Sequence, residues 1–397
     1  MATVRRQPMG PRDPTEAHRV SSPLELLFDL CFVVAIAQAG TSLHHALAEG
    51  HARDAIGAYP FVFFAVWWAW MNFTWFASAY DNDDIVYRLL VLVQIAGGLI
   101  LAAGVPRAFD DRDFAVTAVG FVVMRVGLVS LWLRAAVNHL EGRGCAIRYA
   151  IGVTTCQIGW VSLLLLPESI RLYGWLVLVP LELSVPIWAE RHGSTPWHPG
   201  HIAERYGLFT IIVLGESILA ASLAIQSALD GGQSIADLAS IAGGGLLIVF
   251  SMWWIYFDLP TDRLVGGARD AFTERPRSAF VWGYGHLVVF ASAAAVGAGL
   301  ATAVDQASDH ATLSDRGAAL AVTIPVSVYL LSVWLLHIRY KAPGFSRRGA
   351  VPLGIVVILG ASLLPDSVLI TGIVMVLLIV VSTTSQARAV VSARVPQ

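Results

Sequence analysis

The side chains able to do chemistry in this sequence are carboxylates and histidines set inside apolar runs. Glu25 and Asp29 stand four apart, which puts both on one face of a helix. A charge at the centre of a bilayer costs about 2.5–3.5 kcal/mol on insertion scales, so each one needs a partner, a proton or water. The face that carries Glu25 and Asp29 continues through Phe32 and Ile36. Ala35, Ala37, Ala39 and Gly40 leave room for a second helix to approach closely. Two readings follow. The pair lines a cytoplasmic vestibule, or the acids cap the helix start and bind a nearby Arg. A second run begins His201-Ile-Ala-Glu204-Arg205 and continues to Gly215-Glu216-Ser217. Twelve residues of helix separate Glu204 from Glu216, about 18 Å. That places Glu216 near the bilayer midplane, as an ion, substrate or proton site or as the partner of the mid-span Arg125.

Other polar residues sit in or beside apolar runs. Asn72, Asp258 and His286 join the candidate site, and Arg88, Arg125 and Arg205 are the candidate charge partners. Glu182 lies between Pro180 and Pro186, a spacing that predicts a kinked helix. Asp81, Asp83 and Asp84 precede Arg88 and read as a solvated turn whose acids neutralise it. His192, His198 and His201 lie near Glu204, but their spacing fits no strong zinc signature, so no metal is assigned. The sequence holds no Walker A loop, no nucleophile elbow and no His-Glu-x-x-His motif. No catalytic residue and no cofactor are therefore assigned, and the sequence leans away from an enzyme. Gly243-Gly244-Gly245 reads as close helix packing.

The elements that must position these residues are membrane helices. Only 14% of the 397 residues are charged and 56% are hydrophobic. Soluble domains carry about 25% charged residues. Mean hydropathy is +0.66. A water-soluble globule could not cover itself with so little polar surface, and disorder is excluded on the same grounds. A net charge of -2 argues against nucleic-acid binding. Cys31, Cys145 and Cys156 imply no disulfide framework. Residues 1–23 are polar, carry Arg5, Arg6, Arg12 and Arg19, and lack the features of a signal peptide. Apolar runs near the spanning length predict twelve helices: 24–43, 59–78, 86–105, 115–137, 147–166, 172–190, 205–226, 240–259, 279–303, 317–338, 350–364 and 366–385. With the N-terminus inside, 20 of the 26 Lys and Arg lie on the inner side and five on the outer. Both termini are therefore expected in the cytoplasm.

The chain also reads as duplicated. Leu165-Leu-Pro-Glu-Ser169 reappears as Leu363-Leu-Pro-Asp-Ser367, with Gly174 matching Gly372. Trp67-Trp68-Ala-Trp70 matches Trp253-Trp254-Ile-Tyr256, which sets Asn72 opposite Asp258, and Glu25 lies on Glu204. These matches predict two parallel six-helix repeats, 24–190 and 205–385. A cytoplasmic linker joins them at 191–204, a polar segment (1–23) precedes them and a cytoplasmic tail (386–397) follows.

The runs Glu25-Leu-Leu-Phe-Asp29-Leu-Cys-Phe-Val33 and His201-Ile-Ala-Glu-Arg-Tyr-Gly-Leu-Phe-Thr210 through Glu216 resemble the bacterial low temperature requirement protein A family. The resemblance covers most of the chain, including Asp258 and His286. It implies a multi-pass bacterial inner-membrane protein whose family name reflects growth in the cold, and it implies no reaction or substrate. Its motif positions here are Glu25, Asp29, His201, Glu204, Arg205 and Glu216. A weaker similarity is to potassium channels built from six-helix repeats with a Phe-Ser-Asp signature. Phe28 precedes Asp29 directly here, and the Ser is absent. The expected function is transport of a small solute or ion by buried carboxylates. The alternative is a cation channel lined by the first and seventh helices. A lipid-acting enzyme or a structural or sensory membrane protein stands behind both. The expected partners are the bilayer and a small solute or cation, with the oligomeric state open.

Overall fold

A computed structural model describes residues 7–13, 16, 20–80, 82–193, 195–258, 276–337 and 349–394. The described residues form twelve α-helices and a short 3-10 helix, with no strand among them. The helices are α1 (Pro23–Ala48), α2 (Ala52–Ala79), α3 (Ile85–Asp110), α4 (Ala115–Asn138), α5 (Arg143–Leu164) and α6 (Glu168–Ala189). Then come α7 (Pro199–Asp230), α8 (Ile235–Phe257), α9 (Pro276–Ala307), α10 (Asp315–His337), α11 (Ala350–Ala361) and α12 (Ser367–Arg394). Ten of them are long and apolar enough to cross a membrane. The twelve helices match the expected number, and the two outside that set of ten are α5 and α11. α5 has 22 residues but carries Arg143, Arg148, Thr154, Thr155 and Gln157. α11 has 12 residues, about 18 Å of helix against a hydrocarbon core of about 30 Å. α6 runs unbroken through Pro180 and Pro186. Its Leu172, Leu176 and Val177 are exposed, as are Val126 and Leu133 of α4. Apolar side chains on the outside are what a lipid solvent selects, and the chain is a polytopic membrane protein.

The chain divides into two compact units. The first is Met1–Ala39 with Phe61–Tyr206, and the second is Gly40–Pro60 with Gly207–Gln397. The break after Tyr206 falls close to the expected linker. Residues 40–60 belong with the second unit. α1, α2 and α7 thus supply residues to both.

In the first unit, α3 and α4 touch backbone to backbone. A Cβ added to Gly120 would lie 2.5 Å from the Leu101 nitrogen and 2.7 Å from the Gly97 oxygen. One added to Gly104 would lie 2.7 Å from the Thr117 nitrogen. Lipid tails are as apolar as the side chains, so helix association here relies on close packing of this kind. Trp67, Trp68 and Trp70 of α2 are buried in the same unit. In the second unit α9 and α10 approach as closely, with a Gly299 Cβ 2.1 Å from the Ala321 oxygen. α8 meets α12 at Gly244, beside the Leu369 nitrogen. Trp253 and Trp254 are each 47% exposed, unlike Trp67 and Trp68, which they match in sequence.

Gly120→Ala should lower the thermal unfolding temperature of the detergent-solubilised protein, because overpacking costs about 1–3 kcal/mol. Gly144→Ala, where an added Cβ meets nothing within 4 Å, should leave it unchanged or slightly raised.

Candidate functional site

The start of α1 is set by local sequence. The Ser22 N–H donates to Glu25 Oε2 at 2.7 Å, and the Glu25 N–H donates to Ser22 Oγ at 3.3 Å. This is a reciprocal capping box, with Pro23 in the first helical position, where its missing N–H costs nothing. Glu25 Oε1 turns inward and lies 3.1 Å from both His201 Nε2 and Arg205 Nη1 of α7. One turn deeper, Asp29 takes the same guanidinium in a fork. Arg205 Nε donates to Asp29 Oδ2 at 2.9 Å, and Nη2 donates to Oδ1 at 2.5 Å. Trp70 Nε1 adds a third bond to Asp29 at 2.7 Å, and Arg205 Nη2 reaches Thr74 Oγ1 at 3.3 Å. Asp29, His201 and Arg205 are fully buried and Glu25 is 1% exposed. The helical i, i+4 spacing of Glu25 and Asp29, and of His201 and Arg205, lets two helices meet over two turns.

Asp29 has both oxygens bound and Glu25 has both engaged, so the pair is closed on Arg205 instead of lining an open vestibule. Two carboxylates face one guanidinium, and His201 is the contacting group able to carry a balancing proton. Around this clamp the chain is pinned further. His198, which precedes α7, accepts the His201 N–H on Nδ1 at 3.1 Å and bonds the Glu16 carbonyl through Nε2 at 2.8 Å. With Nδ1 accepting, Nε2 carries the hydrogen. The Ser21 N–H donates to Glu204 at 3.2 Å. His198 and His201 thus have separate partners, and among the described residues no three metal-type side chains converge.

Arg125 is paired with Glu182 of α6, not held for Glu216. Its Nη2 donates to both carboxylate oxygens at 3.0 and 3.1 Å. Trp68 Nε1 and Trp160 Nε1 donate to the same carboxylate at 2.8 and 3.0 Å. The Arg125 guanidinium also lies over the Phe121 ring, 5.6 Å from its centroid. Asn72 donates to the Trp68 carbonyl of its own helix at 2.6 Å. His286 is buried between the Tyr256 hydroxyl, 3.1 Å from Nε2, and the Trp282 carbonyl, 2.8 Å from Nδ1. Asp258 is half-buried just past α8. Glu216 is half-buried in α7 and has no hydrogen-bond or ion-pair partner among the described residues.

The acidic turn before α3 is only partly solvated. Arg88 is exposed and pairs with Asp83 at 2.7 Å, so it is not a buried polar residue of the site. Asp81 lies outside the described residues, as does the side chain of His192. Asp84 is fully buried. It caps α3 through the Tyr87 N–H at 2.8 Å, accepts the Gln7 N–H at 3.0 Å and is bound by Arg134. Burial acts against its charge, but the bonds from Arg134, Tyr87 and Gln7 outweigh it and hold its pKa at about 2, below the ordinary 3.8. The sequence assigns no role to Arg134 or Trp160 and marks Trp68 and Trp70 only as part of a match between the two halves. Arg134 falls inside the predicted span 115–137, which is the signal that would have found it. The tryptophans look like ordinary apolar bulk until a carboxylate faces them.

The sequence profile described as bacterial low temperature requirement A protein (LtrA) matches residues 20–382. The chain is 28% identical over 294 residues to an uncharacterized protein of Rhizobium meliloti (strain 1021), covering 70% of this chain and 68% of that one.

Arg205→Ala should strip two buried carboxylates of their partner and cost about 3–5 kcal/mol, read as loss of folded protein on size exclusion and a lowered unfolding temperature. Arg205→Lys should recover only part of it, because an ammonium cannot reproduce the fork. Asp84 has a depressed folded-state pKa, so its contribution is full above about pH 4 and is lost as pH falls towards 2. Asp84→Asn should flatten the fall in stability across that window, measured by thermal unfolding against pH.

Proposed function

The chain belongs to the bacterial low temperature requirement A protein family, and from that premise we propose that it moves a small solute or ion across the bacterial inner membrane. Glu216 carries the reading. The acids expected inside the membrane in the first unit all have partners: Glu25 and Asp29 on Arg205, and Glu182 on Arg125 and two tryptophans. Glu216, in the second unit, has no partner among the described residues. A carboxylate kept in an apolar helix without a counter-charge is a default candidate for an ion or substrate pathway.

In this reading the chain is two parallel six-helix repeats, Glu216 is reached alternately from the two sides of the membrane, and both termini lie in the cytoplasm. The excess of Lys and Arg on the inner segments supports the orientation. The repeat is supported by the Leu-Leu-Pro-acid-Ser match and by glycine contacts between α3 and α4 and between α9 and α10, the third and fourth helices of each repeat. The clamp of Glu25, Asp29, His201 and Arg205 has a structural role here and supports the helices that carry the site.

The test is electrical. Purified protein in proteoliposomes is recorded under imposed proton, sodium and potassium gradients, alone and with candidate solutes, beside Glu216→Gln. Solute- or gradient-coupled flux that Glu216→Gln abolishes, with folding intact, is the expected result. A sustained cation-selective current would make the protein a channel lined by α1 and α7 and would overturn alternating access. Unaltered flux in Glu216→Gln would remove Glu216 from the mechanism.

A further inference from the structure

The surroundings of Glu216 restrict what it can bind. Its neighbours one turn away on α7 are Ile212, Val213, Leu219 and Ala220, all apolar. The adjacent Ser217 hydroxyl is already committed, bonding the Val213 carbonyl at 3.1 Å and the Ala293 carbonyl of α9 at 2.9 Å. α9 presses close here, since a Cβ on Gly297 would lie 2.6 Å from Ser217 Cα. On the other side there is room: a Cβ on Gly215 would meet nothing within 4 Å. Charged groups are distant along its own helix. Along α7 the nearest are Arg205 and Asp230, eleven and fourteen residues away, about 16 and 21 Å. On α9 they are His286 and Asp305. His286 is occupied by Tyr256 and the Trp282 carbonyl, and Asp305 by His44 at 2.7 Å. α8, which meets α7 where Phe257 faces Gly207, reads Gly243–Phe250 with no charged residue.

We propose that Glu216 is a proton-binding carboxyl and that the proton is the species it takes in the transport cycle, an inference resting on the transport reading above. Hard metal cations take about six or more oxygen ligands. Glu216 offers one carboxylate, and the Ser217 hydrogen is turned towards two carbonyls. The nearest acids on α7 and α9 are Glu204 and Asp230, about 18 and 21 Å along the helix, and Asp305, bound to His44. A proton needs one oxygen and leaves a neutral acid, the form that apolar surroundings accept without a counter-ion.

The test uses dicyclohexylcarbodiimide on the full-length protein in lipid nanodiscs. This apolar reagent reacts with a protonated carboxyl. The acid's proton passes to a carbodiimide nitrogen, the oxygen adds to the central carbon, and the acyl group then migrates to nitrogen as a stable acylurea. Labelling is followed from about pH 6 to about pH 9 by peptide mass spectrometry. The expected result is an adduct on Glu216 that is lost in Glu216→Gln and retained in Glu216→Asp. Above the pH where the group ionises it should fall about tenfold per unit, with sodium and potassium without effect. Protection by sodium or potassium at fixed pH would make this a metal-cation site and overturn the proposal. So would the absence of an adduct at every pH from protein that elutes as a single folded species. Labelling needs no flux, so a labelled Glu216 in a protein silent in the electrical assay would sink the transport reading and leave the proton site standing.

Discussion

One guanidinium in an apolar medium constrains the first compact unit more than any other group. Arg205 is fully buried and faces Asp29 and Glu25 together. Removing it would leave two carboxylates with no way to reach water. The start of α7 must therefore lie against the start of α1, and Trp70 and Thr74 bring α2 to the same point. The capping box at Ser22 and Glu25 sets the angle at which α1 begins, so a local sequence device and a long-range ion pair use the same glutamate. The residues before α1 follow from this. Gln7, Arg12 and Glu16 bond to Asp84, the Ala79 carbonyl and His198, and all of these lie at helix ends of the same unit.

The constraint is met a second time by different means. Glu182 accepts four bonds, two from Arg125 and one each from Trp68 and Trp160. Tryptophan suits such a place because it brings one donor on a large apolar body. The matched pair in the second unit, Trp253 and Trp254, is half exposed, and the carboxylate bonded in the first unit, Glu182, falls opposite no acid that would need them. Tryptophan pairs alike in sequence thus have different surroundings in the two units. What the two units share is backbone contact at glycine, at Gly97, Gly104 and Gly120 in one and at Gly299 and Gly244 in the other. Packing without a hydrophobic driving force needs exactly such close approach.

Against that background Glu216 differs in kind. Glu25, Asp29 and Glu182 are matched by Arg, His or indole N–H groups. In the proposed mechanism a proton takes the place of those partners, and it can leave again. A fixed ion pair stabilises one arrangement of helices, whereas a group neutralised by a mobile proton has no standing preference for one neighbour. That is the physical property a transport site requires.

The sequence by itself determined the membrane class, the approximate helix positions and the family. These follow from composition, from apolar runs whose length is set by bilayer thickness, and from two unusual acid-bearing runs. It also singled out Glu25, Asp29, Arg205 and Glu216, because a charge in an apolar run is visible without a structure. Partnership was decided by tertiary structure alone. Arg125 pairs with a residue 57 positions away and Asp29 with one 176 away. Asp84 finds Arg134 inside an expected span. Helix periodicity fixes which face a residue occupies, but only packing decides which helix meets that face. The same packing closes Asp29 on Arg205 and leaves Glu216 without a partner among the described residues.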